Sequence, residues 1–120
     1  MLRRSGPKTP KEKWKEKRRA ERLKKRNLRQ FGTKAFRKLV AEMNCCACGN
    51  PPPSQLHHVK TRGAGGTYRD IAPLCYRCHS DIHNVGSKTF QLKKNVDLRA
   101  VADAIFARLK PILEDTIDNP

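Results

Sequence analysis

CCACGNPPPSQLHHVKTRGAGGTYRDIAPLCYRCHSDIH, residues 45–83, is the stretch whose reading decides the fold. It holds two cysteine pairs, Cys45-x-x-Cys48 at its start and Cys75-x-x-Cys78 near its end. Two such knuckles can place four thiolates tetrahedrally around one zinc ion, the spacing of a metal site and not of a disulfide ladder. A structural Zn2+ there would tie the loop after Asn44 to the helix that begins near Cys75, closing a long loop where a small domain has little core. Cys46 is left over. It could stand in for Cys45, but Cys46-x-Cys48 fits a knuckle less well, and a small, partly buried apolar residue is the plainer reading. Cys75-x-x-Cys78-His79 also matches the haem c attachment pattern, which would leave the first pair and three histidines without a role.

All four histidines of the chain fall between residues 57 and 83. His79 and His83 are four apart, so on a helix they share a face and can chelate one ion. His57 and His58 are adjacent on a predicted strand, so they point to opposite sides. One of the two can complete a three-histidine site. The other stays free of the ion yet close to it, where an imidazole serves as a general base for water. Spacing alone does not say which is which.

Working outward, the sequence predicts short strands over 55–60 and over or leading into 68–74, joined by a glycine-rich loop with Gly63, Gly65 and Gly66. A helix follows over 75–84, with Gly86 as its stop. Phe36, Leu39, Val40 and Met43 give an amphipathic helix over 35–43, which Gly32 and Thr33 separate from what precedes it. Asp97 caps a final helix to about Leu113, with Leu98, Val101, Ile105, Leu109 and Ile112 as its apolar stripe and Pro111 able to kink its last turn. That stripe reads as core packing more than as a dimer surface. Residues 1–10 read as disordered or extended. Residues 11–30 read as a charged helix with sparse apolar positions, in which Trp14 is a docking residue.

Charge is divided unevenly along the chain. Of a formal net charge of +16, residues 1–40 carry 17 Lys and Arg against 3 Glu, while residues 41–120 carry 10 against 8 acids. A basic arm over 1–34, partly disordered or helical, thus precedes a nearly balanced zinc-stabilised domain over 35–120 that includes the final helix. Such an arm suits phosphate neutralisation with counterion release. Arg18, Arg19, Lys24, Lys25 and Arg26 are its candidate nucleic-acid contacts. Lys60 and Arg62, directly after the histidine pair, are candidates within the domain, with Arg69 and Arg77 behind them. Tyr68 and Tyr76 read as packing residues. No apolar run approaches the length of a membrane span and no signal-peptide pattern is present, so no membrane association is expected. Thiolate ligands imply reducing surroundings, hence a cytoplasmic protein of a microbe or of a virus replicating in one.

His57-His58, Asp70, Pro73-Leu74-Cys75, Cys78-His79 and His83, in that order, resemble the HNH endonucleases of the ββα-metal fold. The cysteine pairs resemble the zinc-bearing branch of that family. Gly63-Ala64-Gly65-Gly66 and His83-x-x-Gly86-x-x-x-Phe90 look like its phage and prophage members. The resemblance covers about residues 45–90, leaving out the arm and the last helix. It implies an α+β fold, a small ββα-metal core stapled by a four-cysteine zinc site; the residue pattern outside the resemblance adds a flanking basic N-terminal helix and a C-terminal amphipathic helix. It also implies a role for each residue. His58 is the general base. His57, His79 and His83 bind the catalytic ion. Asp70 stands where the family has Asn and takes an orienting role, although an ionised Asp accepts hydrogen bonds and cannot donate them.

The implied activity is hydrolysis of DNA phosphodiesters leaving 5′-phosphate and 3′-hydroxyl ends; with no helix-turn-helix or finger array in the sequence, nicking of duplex DNA with low sequence specificity is expected. The implied ion is Mg2+, with Mn2+, Ni2+ or Co2+ favoured by three imidazoles. DNA is the implied partner, together with phage packaging or recombination proteins, for a monomer or weak dimer. A zinc-stabilised nucleic-acid binding module, or an accessory protein without catalysis, would keep the cysteines and the arm but need not keep all four histidines.

Overall fold

The computed structural model describes residues 6–117, with side chains described to Leu113. The readings made for residues 1–5 and 118–120 lie outside the described residues. Helix α1 runs Pro10–Phe31. It starts there because Thr9 and Glu12 cap each other: the Thr9 hydroxyl accepts from the Glu12 amide at 3.2 Å, and the Glu12 carboxylate accepts from the Thr9 amide at 3.3 Å. Pro10 in the first turn lacks only an amide that would have no partner there. No α1 residue is buried. Trp14 is 58% exposed and lies under the Arg18 guanidinium, 4.6 Å from its ring centre. Trp14 thus lies outside the buried core of the domain.

Gly32 ends α1, with φ 79° and its amide on the Leu28 carbonyl at 2.9 Å. Thr33 then caps α2, Lys34–Ala41, its hydroxyl accepting from the Phe36 amide at 3.1 Å. Phe36 and Val40 are buried, whereas Leu39 is exposed and leaves the expected apolar face. Ser54 fastens the proline loop back onto the end of α2, through its amide to the Ala41 carbonyl at 2.8 Å and its hydroxyl to the Met43 carbonyl at 2.6 Å.

The fold is α+β. Among the described residues, five α-helices surround one two-stranded antiparallel sheet. Strand β1, Gln55–His58, pairs with β2, Ile71–Leu74, in the register Gln55↔Leu74, Leu56↔Pro73, His57↔Ala72 and His58↔Ile71. Both strands are shorter than expected. Val59 and Lys60 leave β1, and Tyr68–Asp70 forms a 3-10 turn. Asp70 accepts the Thr67 amide at 2.9 Å and so holds that turn in shape. Helix α3, Tyr76–Val85, follows β2 directly.

A short helix α4, Ser87–Lys94, then occupies a stretch for which no element was expected. Helix α5, Leu98–Ile117, completes the chain, with Asp97 accepting the Ala100 amide at 3.1 Å. Leu98, Ala102, Ile105, Leu109 and Leu113 form its buried stripe; Ile112, expected there, is 36% exposed. No helix is long and apolar enough to cross a membrane among the described residues.

The sheet separates two apolar clusters. Ala72 and Leu74 face a cluster with Cys75, Cys78, Ile82, Phe90 and Leu98. Ile71 faces the other way, onto Phe36, Val40, Ile105, Leu109 and Leu113. Directly paired residues lie on the same face of a sheet. His57, opposite Ala72, therefore looks toward α3. His58, opposite Ile71, looks toward the α1–α2 junction.

Candidate metal centres and the cleft beside them

Cys45, Cys48, Cys75 and Cys78 bring their sulfurs within 4.8 Å of one another, a cluster that could hold a metal ion such as zinc. Cys48 and Cys75 sulfurs are 3.6 Å apart. Four thiolates at zinc–sulfur distance would be separated by about 3.8 Å, so the spacing fits. The turn Gly49 N–H to Cys45 carbonyl, 2.9 Å, folds the first knuckle, and the N-terminus of α3 supplies the second. Burial would push the Cys75 thiol up, but the Cys78 amide, the neighbouring thiols and the Asn50 side chain outweigh it and bring it to about 6. Asn50 Nδ2 and the Cys78 amide both aim N–H groups at this sulfur, at 3.6 Å and 3.4 Å. Burial pushes Cys46 up to about 11 instead, and it packs against the α3-side core.

The three-histidine cluster is also assembled. His57 on β1 and His79 and His83 on α3 place ligand nitrogens within 4.8 Å of one another. The Nε2 atoms of His79 and His83 are 3.2 Å apart, close to the roughly 3.3 Å expected around a tetrahedral ion with imidazole ligands. His57 ring centres lie 5.3 Å from His79 and 6.0 Å from His83. Burial, then repulsion from the other histidines, lowers His57 to about 4. It is thus neutral near pH 7, the state in which imidazole binds metal. Burial and the His83 charge lower His79 as well.

Gln55 is a further candidate of this site that the sequence alone does not mark. Two residues before His57, it shares that residue's strand face, and its Oε1 accepts from His79 Nδ1. A carbonyl oxygen cannot donate, so His79 carries its proton on Nδ1 and turns the Nε2 lone pair to the cluster. The alternation Gln55, His57 along β1 was the available signal.

His58 lies on the opposite face but lines the same cleft of about 480 Å³, with His57, His79, His83, Phe31 and Arg62. Its Nε2 is 2.6 Å from the Gln30 carbonyl at the end of α1. That carbonyl only accepts, so Nε2 holds the hydrogen and Nδ1 is the open lone pair in the neutral ring. Burial lowers His58 most, the Gln30 carbonyl raises it, Arg62 lowers it and Asp70 raises it; the net direction is downward.

The expected orienting bond from Asp70 is not the one formed. The Asp70 carboxylate is engaged by the Thr67 amide and by Arg99 Nη1 at 2.6 Å, while the Gln30 carbonyl holds the imidazole. Arg99, from α5, was not singled out in the sequence because it lies 29 residues from its partner.

Of the basic candidates, Arg62 lines the cleft, and Lys60, Arg69 and Arg77 stand outside its lining. Arg69 lies over the Phe106 ring at 5.1 Å, and Arg77 is exposed on α3. Arg18, Arg19, Lys24, Lys25 and Arg26 are all exposed along α1. Arg26 and Arg62 meet in an adjoining groove with Gln30, Thr61 and Gly63. Comparison with protein-family models, with curated proteins and with solved structures finds no match to this chain.

Proposed function

We propose that this chain is a metal-dependent endonuclease of the HNH type that hydrolyses DNA phosphodiester bonds. The observation that carries the reading is one cleft holding two different kinds of histidine. His57, His79 and His83 converge their nitrogens, while His58 beside them leaves Nδ1 open and Nε2 fixed on a carbonyl. The order β1, β2, α3, with the histidine pair on β1 and the i, i+4 pair on α3, is the arrangement expected of a ββα-metal core. The thiolate cluster at the start of α3 supports the zinc-bearing form of that core.

A divalent ion on the three imidazoles would supply charge stabilisation at the scissile phosphate and at the leaving 3′ oxygen. The rest belongs to this chain. His58 Nδ1 takes a proton from water as the water oxygen bonds to phosphorus in line with the leaving group. The P–O3′ bond breaks, its electron pair leaves with the 3′ oxygen, which takes a proton from solvent water, and a 5′-phosphate and a 3′-hydroxyl remain. Arg62, at the edge of the cleft, is placed for a backbone phosphate beside the cut. The exposed cations of α1 neutralise neighbouring phosphates without reading bases, which makes nicking of duplex DNA with low sequence preference the basal activity.

Supercoiled plasmid incubated with the purified chain in Mg2+, Mn2+, Ni2+, Co2+ or EDTA tests this. Nicking that needs a divalent ion, and that His58→Ala reduces at least about 100-fold with DNA binding retained, is the expected result. Tight DNA binding with no nicking in any metal would replace the proposal with a zinc-stabilised binding module.

A further inference from the structure

The break at Gly32 opens one particular carbonyl. In a continuous helix the Gln30 carbonyl would accept from the amide four residues on, that of Lys34. Gly32, with φ 79° and ψ −167°, turns the chain away, and Lys34 begins α2 under its own cap. The Gln30 carbonyl is thus an orphan acceptor of the last turn of α1. His58 Nε2 fills it at 2.6 Å. The break cannot shift freely: a Cβ on Gly32 would lie 2.7 Å from Phe36 Cδ1 and 3.0 Å from Leu113 Cδ2.

The next residue adds a second restraint. The Phe31 ring stands edge-on to the His58 ring, with centres 4.8 Å apart and planes at 74°. The Arg62 guanidinium lies over the same phenyl ring at 5.8 Å. This turn of α1 also walls the groove of Arg26, Gln30, Thr61, Arg62 and Gly63, which adjoins the histidine cleft through Thr61 and Arg62. The groove brings one arginine from the basic helix and one from the turn after β1 to a shared space, suited to a single backbone phosphate.

We propose that the C-terminal turn of α1 is a positioning element for His58. The Gln30 carbonyl and the Phe31 ring hold the imidazole in the tautomer and orientation that leave Nδ1 to take the proton. A DNA phosphate seated between Arg26 and Arg62 fastens that turn in place. The proposal rests on the endonuclease reading above. It makes the basic helix part of turnover and not of binding alone. A misplacement of about 1 Å at a reacting group costs on the order of 100-fold in rate, which is the scale of effect available to such a turn.

A backbone variant tests it. Joining a 1–44 segment to 45–120 at Cys45 gives the full chain with an ester in place of the Gln30–Phe31 amide. This weakens that carbonyl as an acceptor, removes the Phe31 amide as a donor in the last turn of α1, and leaves every side chain unchanged, so helix content is checked by circular dichroism. Phe31→Ala is the second variant. Nicking over a range of DNA concentrations up to saturation gives kcat and KM, and imidazole nitrogen NMR gives the His58 tautomer from the resonances lost in His58→Ala.

The expected result is an Nε2–H tautomer in the unaltered chain that becomes mixed in both variants. Turnover should fall at least about tenfold with KM within about twofold. Unchanged turnover and tautomer in the ester chain, or a loss confined to KM, would overturn the proposal. If the unaltered chain does not nick at all, the endonuclease reading fails by itself, and the NMR still decides whether the Gln30 carbonyl holds His58.

Discussion

At the scale of single residues, Asp70 and Gln55 act through others. Burial would raise the Asp70 carboxyl, but the Thr67 amide and the Arg99 guanidinium outweigh it and hold it below the ordinary range. A carboxylate with a depressed folded pKa contributes stability above its unfolded value, about 3.9, and loses it as pH falls through the folded value. Asp70→Asn should therefore lower stability by about 1 kcal/mol near neutral pH, a figure discounted because Arg99 is partly exposed. The difference between the two melting curves should close below about pH 4. Gln55→Leu should act elsewhere. Without its acceptor, His79 is free to place its proton on Nε2, and metal affinity at the three histidines should fall by about 10–100-fold. Cobalt titration followed by its visible absorption would read this directly; unchanged affinity would remove Gln55 from the site.

At the scale of elements, the loop between the strands is a closed unit. The Gly66 amide bonds the Thr61 carbonyl at 2.8 Å, and a Cβ on Gly66 would lie 2.0 Å from the Lys60 carbonyl oxygen. Gly66→Ala should force the loop open and cost several kcal/mol, read as a large fall in melting temperature. Gly66 serves the loop's own close approach.

Legibility in the sequence follows the same physics. The cysteine frame, the histidine pair and the i, i+4 pair were readable because each depends on spacing along one short element. Helix α4 was not, because only Phe90 is buried in it and it has no side-chain cap. The α5 stripe was read with Ile112 in place of Leu113, since either apolar residue continues the pattern and only packing against α2 selects Leu113. The partner of His58 was invisible for a different reason: a main-chain carbonyl has no signature in the amino-acid alphabet.

At the scale of the whole molecule, α3 joins the two candidate ion sites. Cys75 and Cys78 sit at its start, and His79 and His83 on its next turn. A chelator strong enough to clear the thiolates should release α3 from the loop at Cys45 and Cys48 and abolish cooperative unfolding, because metal affinity there is folding free energy. Circular dichroism melts with and without chelator would show it. DNA affinity should fall steeply with salt, and charge-removing substitutions at Arg18, Lys24 and Lys25 should make that slope shallower.

Helix α1 meets the cleft only through its last turn, where Gln30 touches His58. Its 22 residues reach about 33 Å from there, roughly ten base pairs of duplex. If α1 lies along the duplex, a bound molecule has a leading and a trailing side, and a footprint with the nick displaced from its centre is the expected sign.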